Sequence, residues 1–230
     1  IPPFMQVHLT GSKKPNLSLI KASVSSDELS FSGEGQVTKN NLSLKKPLEI
    51  SWNPSKNTLS SLSKKPELNF LSDVKLSSPI KFTVQKEGFS LPLENKSLKT
   101  FNGYVRIDAG KFSLSQNSNL FKLVKLFDKT ASDTQVWLAP FFVEANENQF
   151  TIPRIDALIN NDFELIAFSK LQQRLQKLEG GIGFPSKSLE KLLKLSDLPE
   201  NAMIIIPIQG SLQNPKLNIE TLVLKLAALK

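Results

Sequence analysis

Few residues of this sequence have the types and spacing that covalent or metal chemistry requires. The chain of 230 residues has no Cys and a single His, His8, which removes disulfides, thiolate nucleophiles, zinc ribbons and iron–sulfur ligands. A Ser-His-Asp triad would have to use His8, which lies in a Pro-flanked stretch near one end. We therefore expect a folded, non-catalytic domain without a cofactor or a metal site.

The acidic residues form no motif that metal or glycoside chemistry would need. The nearest groupings are Asp27 with Glu28, Glu144 with Glu147, and Asp156 with Asp162. None of them has the alternating spacing of a calcium-binding loop. A glycosidase pair drawn from residues distant in sequence stays open, because such a pair depends on the fold.

Two glycine-rich stretches look like phosphate loops but lack the defining features. Residues 180–183, Gly-Gly-Ile-Gly, are followed by Pro185, and Lys187 follows Ser186 rather than a glycine, unlike a Walker loop. We interpret this stretch as a flexible connector from a helix to a strand. Residues 33–35, Gly-Glu-Gly, are interpreted as a strand bulge or a turn.

The net charge of +8 rests on lysine and is uneven along the chain. Residues 1–66 carry nine Lys and four acidic residues, whereas residues 134–230 carry ten residues of each sign. Nucleic-acid readers use Arg forks and aromatic platforms within a basic patch, and the first 66 residues contain no Arg. We interpret the lysines as solvated strand faces and edges, where they oppose aggregation. An anionic lipid surface is the next alternative, and nucleic acid is the most distant one.

Alternation of apolar and polar residues with a period of two, in short runs between Gly, Pro, Asn and Ser, dominates the sequence. Strand starts recur at roughly 10–13 residues, which is typical of an antiparallel meander. Residues 104–108 and 111–115 are predicted to form a hairpin through Ala109-Gly110. Strands are predicted at residues 17–19, 29–31, 42–44, 48–52, 68–70, 80–85, 104–108, 111–115, 135–144, 149–155, 162–167, 202–210 and 216–220.

Four segments have apolar residues at helical spacing and are predicted to be helices: 119–129, 168–178, 188–195 and 221–230. Ser186 is a candidate start for the third, and Gly180 is predicted to end the second. These helices cannot cover the apolar face of about a dozen strands, so the sheet must close into a barrel, stack as a sandwich or fold into a groove. No linker divides the chain, and we predict one β-rich domain over residues 1–230, with a Ser- and Lys-rich strand region over 1–75.

The C-terminal stretch carries the most specific pattern. Residues 206–216 read Ile-Pro-Ile-Gln-Gly-Ser-Leu-Gln-Asn-Pro-Lys. They resemble the closing pattern of the AsmA-like family of bacterial envelope proteins, which includes TamB-type members, where a strand of the form Pro-Ile/Val-x-Gly-Ser/Thr-Leu runs into Asn-Pro-Lys and a terminal helix. Residues 101–112 resemble that family's Gly-x-hydrophobic-x-hydrophobic-x-x-Gly hairpins. The resemblance covers about residues 80–230, so residues 76–230 are interpreted as an AsmA-like C-terminal region.

The resemblance implies a mainly β fold: a long antiparallel sheet curled into an open groove or taco-like half-barrel, with a few short α-helices that include a C-terminal one. It implies a lipid-handling role in outer-membrane biogenesis, in which the apolar groove shields phospholipid acyl chains between the inner and outer membranes. A periplasmic location follows, with attachment to the inner membrane through a segment outside this chain and with envelope proteins as possible partners. Lysines at the groove rim would meet lipid head groups. The residues predicted to line the groove are Phe82, Val84, Val105, Ile107, Phe112, Leu114, Phe141, Val143, Phe150, Ile152, Phe163, Leu165, Ile204, Ile206 and Ile208.

Other readings of the same residues stay open from the sequence alone. Each apolar side chain could instead pack in a closed core, and strand register decides which face it occupies. A structural or adhesive β-sandwich that binds a protein partner in the envelope is the main alternative function. A hydrolase of envelope sugars would need a convergent Asp/Glu pair in a polar cleft.

Overall fold

The structure of the protein is a computed structural model, and it describes residues 6–14, 17–93, 102–115, 134–146, 148–172, 176–193, 198–211, 215–218 and 224–225. As predicted, the fold is mainly β, and the described strands join one large antiparallel sheet that is not closed into a barrel. Within the described residues, two α-helices, α1 (Lys56–Leu62) and α2 (Ser186–Leu193), and a 3-10 helix (Pro66–Asp73) accompany it. The strands are β1 (Gln6–Lys14), β2 (Leu17–Ser25), β3 (Leu29–Val37), β4 (Asn41–Leu44), β5 (Leu48–Trp52), β6 (Val74–Leu76), β7 (Ile80–Val84), β8 (Leu91–Pro92), β9 (Gly103–Asp108), β10 (Gly110–Leu114), β11 (Thr134–Leu138), β12 (Phe141–Asn146), β13 (Gln149–Ile159), β14 (Phe163–Gln172), β15 (Lys177–Pro185), β16 (Met203–Ser211) and β17 (Pro215–Leu217).

The sheet is a meander, because its strands pair antiparallel mostly with their neighbours along the chain. At one end β1, β2 and β3 pair in succession. At the other end β13 to β17 do the same. Between them, β3 pairs with both β4 and β5, and the path then runs from β5 through β7 and β9 to β12.

Four long strands in the middle of the sheet are interrupted at the same level, along a line that we call the crease. Residues 77–79 separate β6 from β7, residues 139–140 separate β11 from β12, and a bulge at residues 153–154 interrupts β13. The kink between β9 and β10 lies at residues 109–110. The halves stay in line, since β6 and β7 pair with β10 and β9, which in turn pair with β11 and β12. An extra residue in a strand, as at the bulge in β13, bends the strand and increases its twist, so we infer that the sheet bends along the crease.

The predicted hairpin through Ala109-Gly110 is wrong, although both of its strands are present. β9 pairs with β7 and β12, and β10 pairs with β6 and β11, so the two strands continue one another instead of pairing. Gly110 has a φ of 59°, and a Cβ there would come within 3.0 Å of the Ser78 Oγ. A glycine in the left-handed region suits a kinked strand as well as a turn, and the sequence signal is the same for both.

The predicted helix over residues 168–178 and its end at Gly180 are also wrong. The described part of this segment belongs to β14 and β15, and Leu171 pairs directly with Leu178 across the two strands. Two leucines seven residues apart share a face of a helix, but they also meet as partners across a tight hairpin. The residues 180–183 are therefore strand β15 itself and not a flexible connector.

The remaining helix predictions have mixed outcomes. The helix predicted at 188–195 is confirmed as α2, and it starts at Ser186. Residues 68–70, predicted as a strand, lie in the 3-10 helix, whose first residue Pro66 has the fixed φ that suits a helix start. The helix predicted at 119–129 lies outside the described residues, as does that at 221–230 except for residues 224–225.

Most predicted strands are confirmed, some with shifted ends. The prediction at 48–52 matches β5, whereas that at 135–144 is divided into β11 and β12 at Ala139-Pro140. Strands β1, β6, β8 and β15 are present without having been predicted. Residues 33–35 form neither a bulge nor a turn, because β3 pairs with β2 in unbroken register through them. A Cβ at Gly33 would lie 2.7 Å from the Leu48 Cδ1, so this glycine allows close packing.

The buried core lies at the C-terminal end of the sheet, where α2 packs on it. Its members are Val136, Ile159, Leu165, Phe184, Leu189, Ile204 and Ile206. The rings of Phe163 and Phe184 meet edge to face with centroids 6.0 Å apart. Ser188 joins α2 to β14 by two hydrogen bonds. Its Oγ donates to the Glu164 carbonyl oxygen and accepts from the Glu164 N–H, both at 2.9 Å.

Candidate functional site

The candidate site is one face of the sheet, which we call the apolar face. Residues that pair directly across antiparallel strands lie on the same face, and so do residues two apart within a strand. One row of paired residues crosses seven strands: Val7, Val24, Phe31, Ile50, Phe82, Ile107 and Phe141. A second row beside it consists of Leu48, Val84, Val105 and Val143.

The apolar face continues past the crease to the last strand. Ala145 pairs with Phe150, which carries the face onto β13. Ile152 and Ile155 both stay on it, because the bulge between them adds one residue to the strand. Beyond β13 the face passes through Ala167 in β14, Ile182 in β15, and Ile206 and Ile208 in β16.

All the residues predicted to line a groove fall on this face by their register. They are Phe82, Val84, Val105, Ile107, Phe112, Leu114, Phe141, Val143, Phe150, Ile152, Phe163, Leu165, Ile204, Ile206 and Ile208. A slip of one residue in any strand would have moved its members to the other side. The pairing therefore brings the predicted set together on one surface.

The apolar face lacks charged residues across almost its whole width. From β2 to β17, no charged residue of the described strands takes a register position on it. Its polar members there are small: Ser18, Thr134 and Ser169. Thr134 is fully buried, and its Oγ1 has no hydrogen-bond partner among the residues that the structure describes.

The two ends of the apolar face differ in how far solvent reaches them. On β1, the side chains of Val7 and Leu9 are 51% and 69% exposed. At the other end, Phe184 and Ile206 are fully buried beneath the region where α2 packs, with Leu189 of that helix among them. The core beneath α2 is thus closed to a ligand, whereas the exposed and half-buried parts of the apolar face are open to one.

The predicted lining residues divide accordingly into two groups. Val84, Leu165, Ile204 and Ile206 are buried, and Phe112, Leu114 and Phe163 pack against the core. These seven residues serve mainly as core. The others are half-buried and can contact a ligand: Phe82, Val105, Ile107, Phe141, Val143, Phe150, Ile152 and Ile208.

The sequence interpretation missed the members of the face that lie before residue 80. Val24, Phe31 and Ile50 stand in the same row as Phe82 and Ile107. The signal was available, since Phe31 and Ile50 alternate with polar residues in predicted strands. They were not assigned to the site because the family resemblance begins only at about residue 80.

Charges collect on the opposite face, which we call the polar face. Lys21 and Lys46 each place Nζ 3.1 Å from the Glu34 Oε1, and their hydrogen bonds hold the pKa of Glu34 below its usual value. This cluster borders a shallow cavity of about 460 Å³ that His8 also lines. Lys81 also takes a polar-face position, beside Asp108. The strand lysines Lys21 and Lys81 thus take positions on the face opposite the predicted lipid surface.

No arrangement for covalent or metal chemistry is visible in the described part of the chain. His8 pairs with Ser23 across β1 and β2, but no hydrogen bond joins their side chains, as a base and its nucleophile would require. Among the described residues no group of three or more His, Asp or Glu side chains could hold a metal ion. The Asp156 carboxylate is bound by Arg154, and that of Asp162 by Lys191.

Comparison with known proteins gives no neighbour for this chain. No family model matches it, no curated protein is similar to it, and no solved structure shares its fold at a significant level. Among the described residues, no helix has the length and apolar character that a membrane crossing requires. The site must therefore be judged on its geometry and chemistry.

Proposed function

We propose that this chain is a non-catalytic, lipid-handling β domain of a bacterial envelope protein, of the AsmA-like type. In this role its apolar face shields phospholipid acyl chains that move between the inner and outer membranes. The single observation that carries the proposal is the extent of that face. It crosses the described sheet from β2 to β17 without a charged residue, and its β1 end is exposed.

The dimensions of the face suit an acyl chain. Seven paired strands at a spacing of about 4.8 Å give the row from Val7 to Phe141 a length of roughly 29 Å. Half of a bilayer's hydrocarbon core is about 15 Å thick, so one acyl chain has room to lie along the row. Each CH₂ group moved from water onto such a surface is worth up to about 0.8 kcal/mol. Lipid transfer along the sheet would therefore need no covalent step.

The family resemblance supports the proposal at one of its two motifs. The residues that match the closing pattern occupy β16 and β17, an apolar strand followed by a short strand that begins at Pro215, with residues 212–214 outside the described residues. The second motif, at residues 101–112, lies in β9 and β10, which are consecutive strands and not the expected hairpin. A periplasmic location, an inner-membrane attachment outside this chain and envelope partners are part of the same proposal.

Site-specific photocrosslinking tests the proposal with a matched control in one strand. Phe82 lies on the apolar face of β7, and Thr83 lies next to it on the polar face; both are half-buried. The photoreactive p-benzoylphenylalanine would replace each in turn, and the purified chain would be irradiated with phosphatidylethanolamine–phosphatidylglycerol vesicles. We expect a lipid adduct at position 82, detected by mass spectrometry, and little or none at position 83.

Equal labelling of the two positions, or no adduct at either, would contradict the proposal. A second measurement guards against a local effect of the probe: Phe82→Glu should reduce the phospholipid extracted from the purified protein, whereas Thr83→Glu should not. Circular dichroism would confirm that both variants fold. If position 82 instead crosslinks to a protein in envelope extracts and never to lipid, the alternative of a protein-binding module is correct.

A further inference from the structure

A small cavity on the polar face lies away from the proposed lipid surface. It has a volume of about 220 Å³ and lies between β11, β13 and β14. The side chains that give it its character are those of Trp137, Arg154, Asp156, Leu158, Glu164 and Ile166.

The register places an aromatic ring and a carboxylate on opposite sides of an apolar floor. Trp137 pairs with Leu158 across β11 and β13, and Leu158 pairs with Glu164 across β13 and β14. Ile166 stands beside Glu164 on the same face and extends the floor. A group that enters the cavity thus meets an indole on one side and a carboxylate on the other.

The cavity wall carries one uncompensated negative charge on a chain whose net charge is +8. Arg154 holds Asp156 in a close pair, with its Nη2 2.7 Å from Oδ1 and its Nε 3.0 Å from Oδ2, so these two charges cancel. The Glu164 carboxylate makes no ion pair with any described residue. Lys111 pairs with Trp137 from β10, but it does not line the cavity.

Glu164 is also held in place. The buried Ser188 of α2 binds both its N–H and its carbonyl oxygen at 2.9 Å, which fixes the backbone from which the carboxylate projects. A cation that binds this carboxylate therefore does not have to order the strand that carries it. The exposed ring of Trp137 is likewise available to a ligand.

We propose that this cavity binds a quaternary ammonium group, as carried by choline or by trimethylated lysine. Such a group is attracted by the face of an indole ring and, in this cavity, by the unpaired carboxylate. Its methyl groups suit a floor made of Leu158 and Ile166. A primary ammonium is more strongly hydrated and would have to give up water to enter, so it binds more weakly. The proposal concerns the polar face and does not depend on the lipid-handling function.

Tryptophan fluorescence gives a direct test, because the chain has only two tryptophans. In a Trp52→Phe background, choline chloride would be titrated against sodium chloride of equal ionic strength and against 3,3-dimethyl-1-butanol, the uncharged isostere of choline. We expect a saturable change in Trp137 fluorescence with choline. The uncharged alcohol should bind about tenfold more weakly, since the cation–π and ionic attraction is lost.

Variants then locate the binding site, and a comparison of ligands identifies the kind of molecule that carries the quaternary ammonium group. Glu164→Gln should weaken choline binding about tenfold, whereas Glu144→Gln, on the same face outside the cavity, should leave it unchanged. Binding of choline alone would assign a choline-type head group or metabolite, and binding of a trimethyl-lysine peptide in preference to its unmethylated form would assign a methylated protein. A response that does not saturate, that is equal for the uncharged alcohol, or that survives Glu164→Gln overturns the proposal.

Discussion

Three glycines in β15 provide a graded test of the packing in the C-terminal half of the sheet. A Cβ at Gly180 would lie 2.3 Å from the Phe168 carbonyl oxygen, a backbone atom of the neighbouring strand. A Cβ at Gly183 would lie 2.6 Å from the Met203 Sδ, the flexible end of a side chain that is 44% exposed. Alanine at the two positions therefore meets obstacles of very different stiffness.

The expected free energies of unfolding follow from these contacts. Overpacking costs about 1–3 kcal/mol and occasionally more, and the backbone obstacle at Gly180 places Gly180→Ala at about 3 kcal/mol of destabilisation. At Gly183, Met203 can rotate away, and alanine in a strand gains about 0.5–1 kcal/mol over glycine, so Gly183→Ala should be close to neutral. Gly181→Ala should be intermediate, because its Cβ would meet side-chain atoms of Ile205 and Phe168 at 2.8 Å each.

Urea unfolding would measure the free energy of unfolding of the three variants, and thermal unfolding their midpoint temperatures, both followed by far-ultraviolet circular dichroism. A loss of about 3 kcal/mol corresponds to a midpoint temperature lowered by roughly 6–12 °C in a chain of this size. If the segment were a flexible connector, all three alanines would be tolerated alike. Equal stability of Gly180→Ala and Gly183→Ala would therefore refute the assignment of residues 180–183 to a strand packed against β14.

Two further predictions concern α2 and α1. Leu189→Ala should destabilise the protein by about 2–5 kcal/mol, since Leu189 is buried in the core. Lys187→Ala, on the exposed side of α2, should have little effect on stability. Equal urea midpoints for the two variants would contradict the packing of α2 on the sheet. Hydrogen bonds from Ser55 and Thr58 lower the pKa of the Glu28 carboxyl in the folded protein. The stability that the Glu28 carboxylate contributes is therefore present above the pKa of the unfolded state, and it is lost as the pH falls through the pKa of the folded state. Thr58→Val should shift the carboxyl titration, followed by NMR, upward toward the usual value, and an unchanged titration would show that the bond is absent in solution.

The fold class was predictable because the alternation of apolar and polar residues survives in nearly every strand. In β5, Leu48, Ile50 and Trp52 alternate with polar residues, and the structure puts all three on the apolar face. The identity of that face as one connected surface was not predictable. It depends on the pairing of strands far apart in sequence, such as β9 with β12 and β6 with β10, and periodicity within one strand carries no information about its partners.

The errors arose where two structures share one local pattern. Leu171 and Leu178 fit a helical stripe, but the same spacing suits partners across a hairpin. Glycines suggested a flexible connector at 180–183, yet there they make room for Phe168, Ile205 and Met203 of the flanking strands. Sites on the polar face were missed for a related reason, since Trp137 and Glu164 are 27 residues apart in sequence and meet only through the strand between them.

The crease explains how one apolar face can extend across a bent sheet. On the apolar face, β9 contributes the odd-numbered residues Val105 and Ile107, whereas β10, which continues it, contributes the even-numbered Phe112. The kink at residues 109–110 therefore shifts the alternation of apolar and polar residues by one. The same shift occurs between Leu138 and Phe141, and again at the bulge in β13. A shift in one strand alone would turn half of its apolar residues toward the polar face. The three shifts lie side by side, whereas the break between β6 and β7 keeps the alternation, with Leu76 and Ile80 both on the apolar face, so the face stays continuous through the crease. A change of parity within an alternating sequence is therefore a sign of a kinked strand as much as of a turn, and its recurrence in successive strands distinguishes the two.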